Sequence, residues 1–208
     1  MLKLYSRPNS GSAAVEALLT ECGVAFELIN VARQPDGSIP QSFRQINPRA
    51  EVPTLALADD SIMTESAAMM IFIADLNPAA GLAPAIDSPE RARYLRWIMF
   101  FATAVYAADL RMYYPQRFST DVAHAGGIKA KAIEDMESDF DIFAAALGDG
   151  PFLLGSKMSA ADIYIAMIIS WAADVQQLFA RHRNIKQLYE RVAARPVIAK
   201  VWARNEMP

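Results

Sequence analysis

The chain has 208 residues, 53% apolar and 21% charged, a size at which a protein buries about 70% of its unfolded surface and a composition that excludes disorder. Its formal net charge of −3 gives no basic field for a polyphosphate, so nucleic acid is excluded as a main partner. A single cysteine, Cys22, rules out an internal disulfide, and two histidines, His124 and His182, are too few for a zinc site, so no metal is expected.

The opening MLKLYSRPNSGS has no basic stretch followed by an apolar core, so no secretory signal is expected. Residues 2–6 alternate as a strand, and RPNSGS after them has turn composition. From Ser12 the period becomes helical, with Val15, Leu18, Leu19 and Cys22 on one face and Gly23 as a stop. A second strand follows over 25–31, and such a strand–helix–strand unit favours a parallel pair. Residues 33–50 read as a proline-rich loop with one short helix near 41–46. Then 54–58 and 61–63 form a hairpin about Asp59-Asp60, and 65–76 is helical.

This order, βαβαββα, is that of a thioredoxin-like α/β domain, assigned here to residues 1–78. Asn77-Pro78 ends its last helix, and 79–87 is a linker. Every long segment after it is helical, which predicts an all-α domain over 88–208. In that domain Leu95, Ile98, Met99, Ala102, Val105, Tyr106 and Asp109 line one stripe of a long helix. Helices over 128–147, from 160, and near 185–194 and 197–205 complete the set. The most apolar run, Ile163 to Ala173, is short of the ~20 residues that span a bilayer and reads as a buried helix. A soluble, cytoplasmic protein with no membrane partner is expected.

Four local features carry chemistry. The turn Ser6–Ser12 sits between strand and helix, where unpaired N–H groups favour an anion and a hydroxyl can donate to a thiolate. Ser10 or Ser12 can equally serve as a helix cap. Pro53 in Glu51-Val52-Pro53-Thr54 opens a strand. A cis Val52–Pro53 bond would turn the Val52 backbone outward to pair with an extended peptide, whereas a trans proline would simply start an edge strand. Thr64-Glu65-Ser66 opens a helix, where Ser66 suits a carboxylate and Glu65 an ammonium, or where both act as capping residues. Finally, Ser159 and Asp162 have capping-box spacing, with Met158 and Ile163 placed as a hydrophobic staple.

Taken together these features resemble the cytosolic glutathione S-transferases over nearly the whole chain. The pieces that carry the resemblance are LYSRPNSGS, NPRAEVPTL (47–55), TES (64–66), GSKMSAADI (155–163) and LYERVAARPVIAKVWA. The resemblance implies that glutathione is the co-substrate, its cysteinyl backbone on Val52 beside a cis Pro53 and its γ-glutamyl end on Glu65 and Ser66. Arg7, Arg33 or Arg49 would meet the glycyl carboxylate. Ser10 falls where serine-type members stabilise the thiolate; Ser12 is the runner-up, with Ser6 and Tyr5 behind. The bacterial beta-class cysteine is replaced in this turn by Ser10-Gly11-Ser12, and Tyr106 aligns where that class has a histidine. An acceptor wall of Tyr106, Met112, Tyr113 and Tyr114 is implied for a small hydrophobic electrophile. Trp171 is read as core, His124 and His182 as surface residues, and a homodimer is expected from the family.

The expected activity is therefore glutathione transfer in detoxification. The alternatives are a binding or regulatory protein on the same scaffold, or a glutathione-dependent isomerase, dehalogenase or ether-cleaving enzyme. The SRPNSGS turn resembles that of the maleylacetoacetate-isomerase-like class but lacks its serine–serine–cysteine run.

Overall fold

The structure is a computed structural model that describes residues 1–207 and divides into two units. One comprises Met1–Ala83 with the chain from Ala193 onward, and the other Pro84–Val192. In the first unit the elements run β1 (Leu2–Ser6), α1 (Ser12–Glu21), β2 (Phe26–Asn30), α2 (Gln41–Ile46), β3 (Thr54–Ala56), β4 (Ile62–Met63) and α3 (Ser66–Leu76). Strand order is β2-β1-β3-β4. The α1 crossover makes β1 and β2 parallel, while β3 is antiparallel to both β1 and β4. This is the expected thioredoxin-like layer. Its core includes Leu4 and Leu55, paired in the β1–β3 register, and Val15, Leu18 and Leu19 of α1, all fully buried.

Strand β3 stops earlier than its apolar run. The Leu57 N–H turns back to the Ser61 carbonyl at 2.9 Å, and Asp59 accepts the Ser61 N–H at 3.0 Å, closing the hairpin with Asp60 at φ 64°.

The second unit contains α4 (Glu90–Phe100), α5 (Tyr106–Tyr113), α6 (Ala125–Leu147), α7 (Ala160–Ile169), α8 (Val175–Arg181) and all but the last residue of α9 (Arg183–Ala193). Helices α4 and α5 were expected as one rod. Instead a π-helical turn, Phe101–Val105, joins them, with the Tyr106 N–H bonded to the Phe101 carbonyl. One extra residue in a turn rotates the downstream face by about 100° relative to an unbroken helix. Phe101 enters the core against Phe143 while Met99 is 45% exposed, so the single predicted stripe does not hold. Helix α7 is buried at every residue, as its apolar run requires. It ends at Ile169, and Asp174 starts the short α8 by accepting the Gln177 N–H at 2.8 Å.

The last helix, α10 (Pro196–Arg204), packs on α1 within the first unit. The sequence boundary had placed it with the helical domain. The reason for the difference is a buried polar contact. Glu16 of α1, 1% exposed, pairs with Arg204 and accepts from the Asn205 side-chain amide at 2.8 Å. No helix among the described residues is long and apolar enough to cross a membrane.

Candidate functional site

The strand registers gather three of the four features at one end of the sheet. Tyr5, one residue before the end of β1, lies opposite Thr54, the first residue of β3. Met63, the last residue of β4, lies opposite Leu55. The turn after β1, the Val52–Pro53 approach to β3 and the Thr64–Ser66 entry to α3 therefore share an edge. This juxtaposition follows from two antiparallel pairings.

In the turn, Ser10 Oγ lies 2.7 Å from both the Arg7 carbonyl and Ser12 Oγ. Ser12 Oγ accepts the Arg7 N–H at 3.3 Å and lies 3.1 Å from the Arg7 carbonyl. The two hydroxyls differ in access: Ser12 is fully buried and Ser10 half-buried. Neither caps α1 in the ordinary way, because the N-cap is Gly11 and makes no side-chain bond. Ser6 is buried at the end of β1, and its carbonyl accepts the Val31 N–H at 2.8 Å. Tyr5 packs against Phe43, ring centroids 5.4 Å apart and planes tilted by 39°. Cys22 sits at the far end of α1, and burial, with Glu21 second, pushes its thiol above the ordinary value, which suits an inert thiol.

The Val52–Pro53 bond is cis, settling the choice the dipeptide left open. The loop before it hangs on Asn47, whose buried amide donates to the Glu51 carbonyl at 3.0 Å and Thr54 Oγ1 at 2.9 Å. Asn47 Oδ1 accepts the Arg49 N–H at 3.1 Å, and Ala50 is held at φ 56°. Among the described residues no backbone bond occupies the N–H or C=O of Val52. That pair is open to an extended ligand.

Glu65 precedes α3 at φ 67°, a left-handed conformation that costs a non-glycine residue on the order of 1–3 kcal/mol. It is exposed, its carbonyl accepts the Met69 N–H at 3.0 Å, and Ser66 begins the helix half-buried. Of the three loop arginines, Arg49 pairs with Glu51 at 2.8 Å, with Glu65 a further, weaker attraction. Arg33 donates to the Gly37 carbonyl at 2.9 Å, and Arg7 Nε to the Val31 carbonyl at 3.0 Å.

The predicted acceptor residues lie on α5. Tyr106 packs against the buried Trp171, ring centroids 5.3 Å apart and planes tilted by 49°, and the Tyr113 hydroxyl donates to the Trp171 carbonyl at 3.4 Å. Tyr113 and Tyr114 are exposed, whereas Met112 is 5% exposed and belongs to the core. Asp109 on the same helix was not singled out. It is buried, its Oδ1 has no hydrogen-bond partner among the described residues, and burial pushes its carboxyl up to about 7. The signal was present in the sequence as an acid at the end of an apolar stripe. His182, read as a surface residue, is half-buried instead, with Nε2 2.7 Å from Asp141. His124 is exposed, as expected.

A thioredoxin-like unit with an open strand edge, followed in the same chain by an all-helical unit, defines a class of two-part proteins. Residues 12–76 match the glutathione S-transferase N-terminal domain and residues 111–205 the glutathione S-transferase C-terminal domain. The chain belongs to the glutathione S-transferase family. It is 28% identical over 208 residues to the GST-like protein YncG of Escherichia coli K12, covering 100% of both chains. It is 26% identical over 201 residues to the glutathione S-transferase GstA of Escherichia coli O157:H7, covering 95% of each. Among solved structures, a sphingomonad glutathione S-transferase complexed with glutathione is 28% identical, with a TM-score of 0.82 and 98% of each chain covered.

Proposed function

We propose that the protein is a glutathione transferase in which the Ser10 hydroxyl holds the glutathione thiolate for attack on a small hydrophobic electrophile. The observation that carries this reading is the hydroxyl pair. Ser10 is the half-buried residue of the two and so the one offered to a ligand, and Oγ of the fully buried Ser12 backs its hydroxyl at 2.7 Å. The Ser10 hydroxyl donates to the Arg7 carbonyl at 2.7 Å, and the reading requires that proton to turn to the sulfur, with Ser12 Oγ, which accepts the Arg7 N–H at 3.3 Å, backing Ser10 as successive hydrogen bonds polarise one another. The open Val52 edge takes the cysteinyl backbone, Glu65 and Ser66 the γ-glutamyl end, and Arg49 the glycyl carboxylate.

In the reaction the thiolate sulfur forms a bond to the electrophilic carbon, and the bond from that carbon to its leaving group breaks, releasing an anion. Tyr106 and Tyr113 form the acceptor wall, with Met112 behind them as packing. A cytoplasmic homodimer acting in detoxification is part of the same reading. The relatives that carry glutathione support the choice of co-substrate.

The test is a Ser10→Ala variant assayed with glutathione and an aryl halide across pH. A charge-assisted hydrogen bond of about 1.5–3 kcal/mol corresponds to roughly a 10- to 100-fold loss of thiolate near neutrality. The activity profile should move to higher pH while calorimetric glutathione affinity changes little. An unchanged profile would remove Ser10 from this role. Retention of glutathione without turnover of any electrophile would favour the binding-protein alternative.

A further inference from the structure

The turn that carries Ser10 is held from two sides. On one side the Val31 N–H donates to the Ser6 carbonyl at 2.8 Å, and Arg7 Nε returns a bond to the Val31 carbonyl at 3.0 Å. On the other, the Asn9 N–H donates to the carbonyl of Asn205 at 2.9 Å. Asn9 is the residue before Ser10 and stands at φ 50°, a conformation asparagine tolerates better than most residues. The position of the Ser10 hydroxyl therefore depends on a residue 195 places later, just past the end of α10.

Asn205 is itself fixed with unusual care. It is 3% exposed, and its side-chain amide donates to Glu16 Oε2 at 2.8 Å and to the Val201 carbonyl at 2.9 Å. Glu16, buried one turn into α1, also pairs with Arg204. At the opposite end of the helix pair, Arg195 grips Glu21 with two bonds, at 2.8 and 2.6 Å. The apolar residues Ile198, Val201 and Trp202 of α10 are buried as well. Apolar contact is non-directional, however, and sets no register. A buried carboxylate adds little net stability over an apolar replacement but admits one alignment of its partners. Here the aligned position is the one that puts the Asn205 carbonyl under the Asn9 amide.

We propose that Asn205 is a positioning residue for thiolate stabilisation: clamped by Glu16, its carbonyl anchors Asn9 and so sets where the Ser10 hydroxyl meets the glutathione sulfur. This inference rests on the Ser10 reading and adds the C-terminal turn to the machinery. It does not place Asn205 in contact with the ligand.

Asn205→Ala removes both side-chain bonds, leaves the carbonyl positioned only through the bonds of its own N–H to the Val201 and Trp202 carbonyls at 3.0 Å, and leaves the Val52, Glu65 and Ser66 contacts untouched. The readout is the thiolate absorbance near 240 nm of the full-length protein saturated with glutathione, titrated across pH, with affinity measured by calorimetry. We expect the thiolate fraction at pH 6.5 to fall about tenfold, matched by kcat/KM at that pH and recovered at alkaline pH, with affinity within about threefold. A simple loss of folding would lower the active fraction equally at all pH values and would not shift the titration. Should Asn205→Ala not fold, Asn205→Ser, whose hydroxyl can still reach the Val201 carbonyl, carries the same test. A folded variant with the wild-type thiol titration overturns the proposal. If the wild-type protein itself does not lower the thiol titration below that of free glutathione, the Ser10 reading fails instead, and the two failures are distinct.

Discussion

Asp109 is buried in α5, and among the described residues its carboxyl finds no donor for Oδ1. Desolvation penalises the charged form, so the folded protein holds this proton to about pH 7, whereas the unfolded chain releases it near the ordinary value of about 3.9. The sign follows directly. Between roughly pH 4 and 7 the folded state carries a proton the unfolded state has lost, so stability falls as pH rises and levels off above 7. The full difference is on the order of 4 kcal/mol at most. Asp139 and Asp162 are raised by burial too and contribute with the same sign, so the test is a comparison of variants. Asp109→Asn should be more stable than the wild type above pH 7, by about 1–4 kcal/mol, and should lose most of the pH slope in urea unfolding midpoints. Parallel slopes in the two proteins would show that another group sets the dependence. Tyr113 bears on the same point: burial, then the nearby Asp109 and Tyr114, push its hydroxyl up, so it stays neutral through this range.

Helix α7 shows what a local code can specify. Asp162 accepts the Ser159 N–H and hydroxyl, each at 2.7 Å, and the Leu153 N–H at 2.8 Å. It thereby ties the start of the most buried helix to the loop before it. Asp162→Ala leaves two buried N–H donors without partners, each costing about 1–3 kcal/mol. The urea midpoint should fall by the equivalent of roughly 3–5 kcal/mol, with the slope unchanged if folding remains two-state. A loss under 1 kcal/mol would mean that water replaces the carboxylate. This element was legible in the sequence because its partners lie three residues apart and the staple residues Met158 and Ile163 flank them. The sheet was legible for a related reason: alternation, the turn residues and the crossover rule fix its order locally. The π turn was not. Phe-Ala-Thr-Ala-Val carries no breaker, so nothing in the local pattern marks it, and Phe101 at its start packs on Phe143, forty-two residues away in the chain. Short α8 escaped notice because seven residues span under two turns and its one cap, Asp174, resembles any surface aspartate. At the candidate site the motif residues were legible as types and spacings. The access that separates Ser10 from Ser12, and the burial that moves Met112 into the core, are products of tertiary packing.

At the scale of the chain, the structure brings α10 back to the first unit, so that unit is not complete until α10 has been made. Apolar periodicity alone could not reveal this, because α10 looks like any amphipathic helix, and its address is written in Glu16 and Glu21 on α1 together with Arg195, Arg204 and Asn205. Deleting residues 193–208 would expose the site under Ile198, Val201 and Trp202, each worth about 1.5–3 kcal/mol when fully buried. It would also strip the buried Glu16 carboxylate of both partners, a loss of about 3–5 kcal/mol for a broken buried pair. Added together these terms rival the ~5–15 kcal/mol that holds a typical domain folded. Amide hydrogen exchange on the shortened chain should therefore show β1 and α1 losing protection and glutathione affinity disappearing. Amides of α7, inside the second unit and anchored by Asp162, should keep theirs. Equal loss in both units would mean that the two unfold together. Undiminished protection in α1 would mean that its contacts with the sheet and α3 suffice, and that α10 is an accessory to the fold.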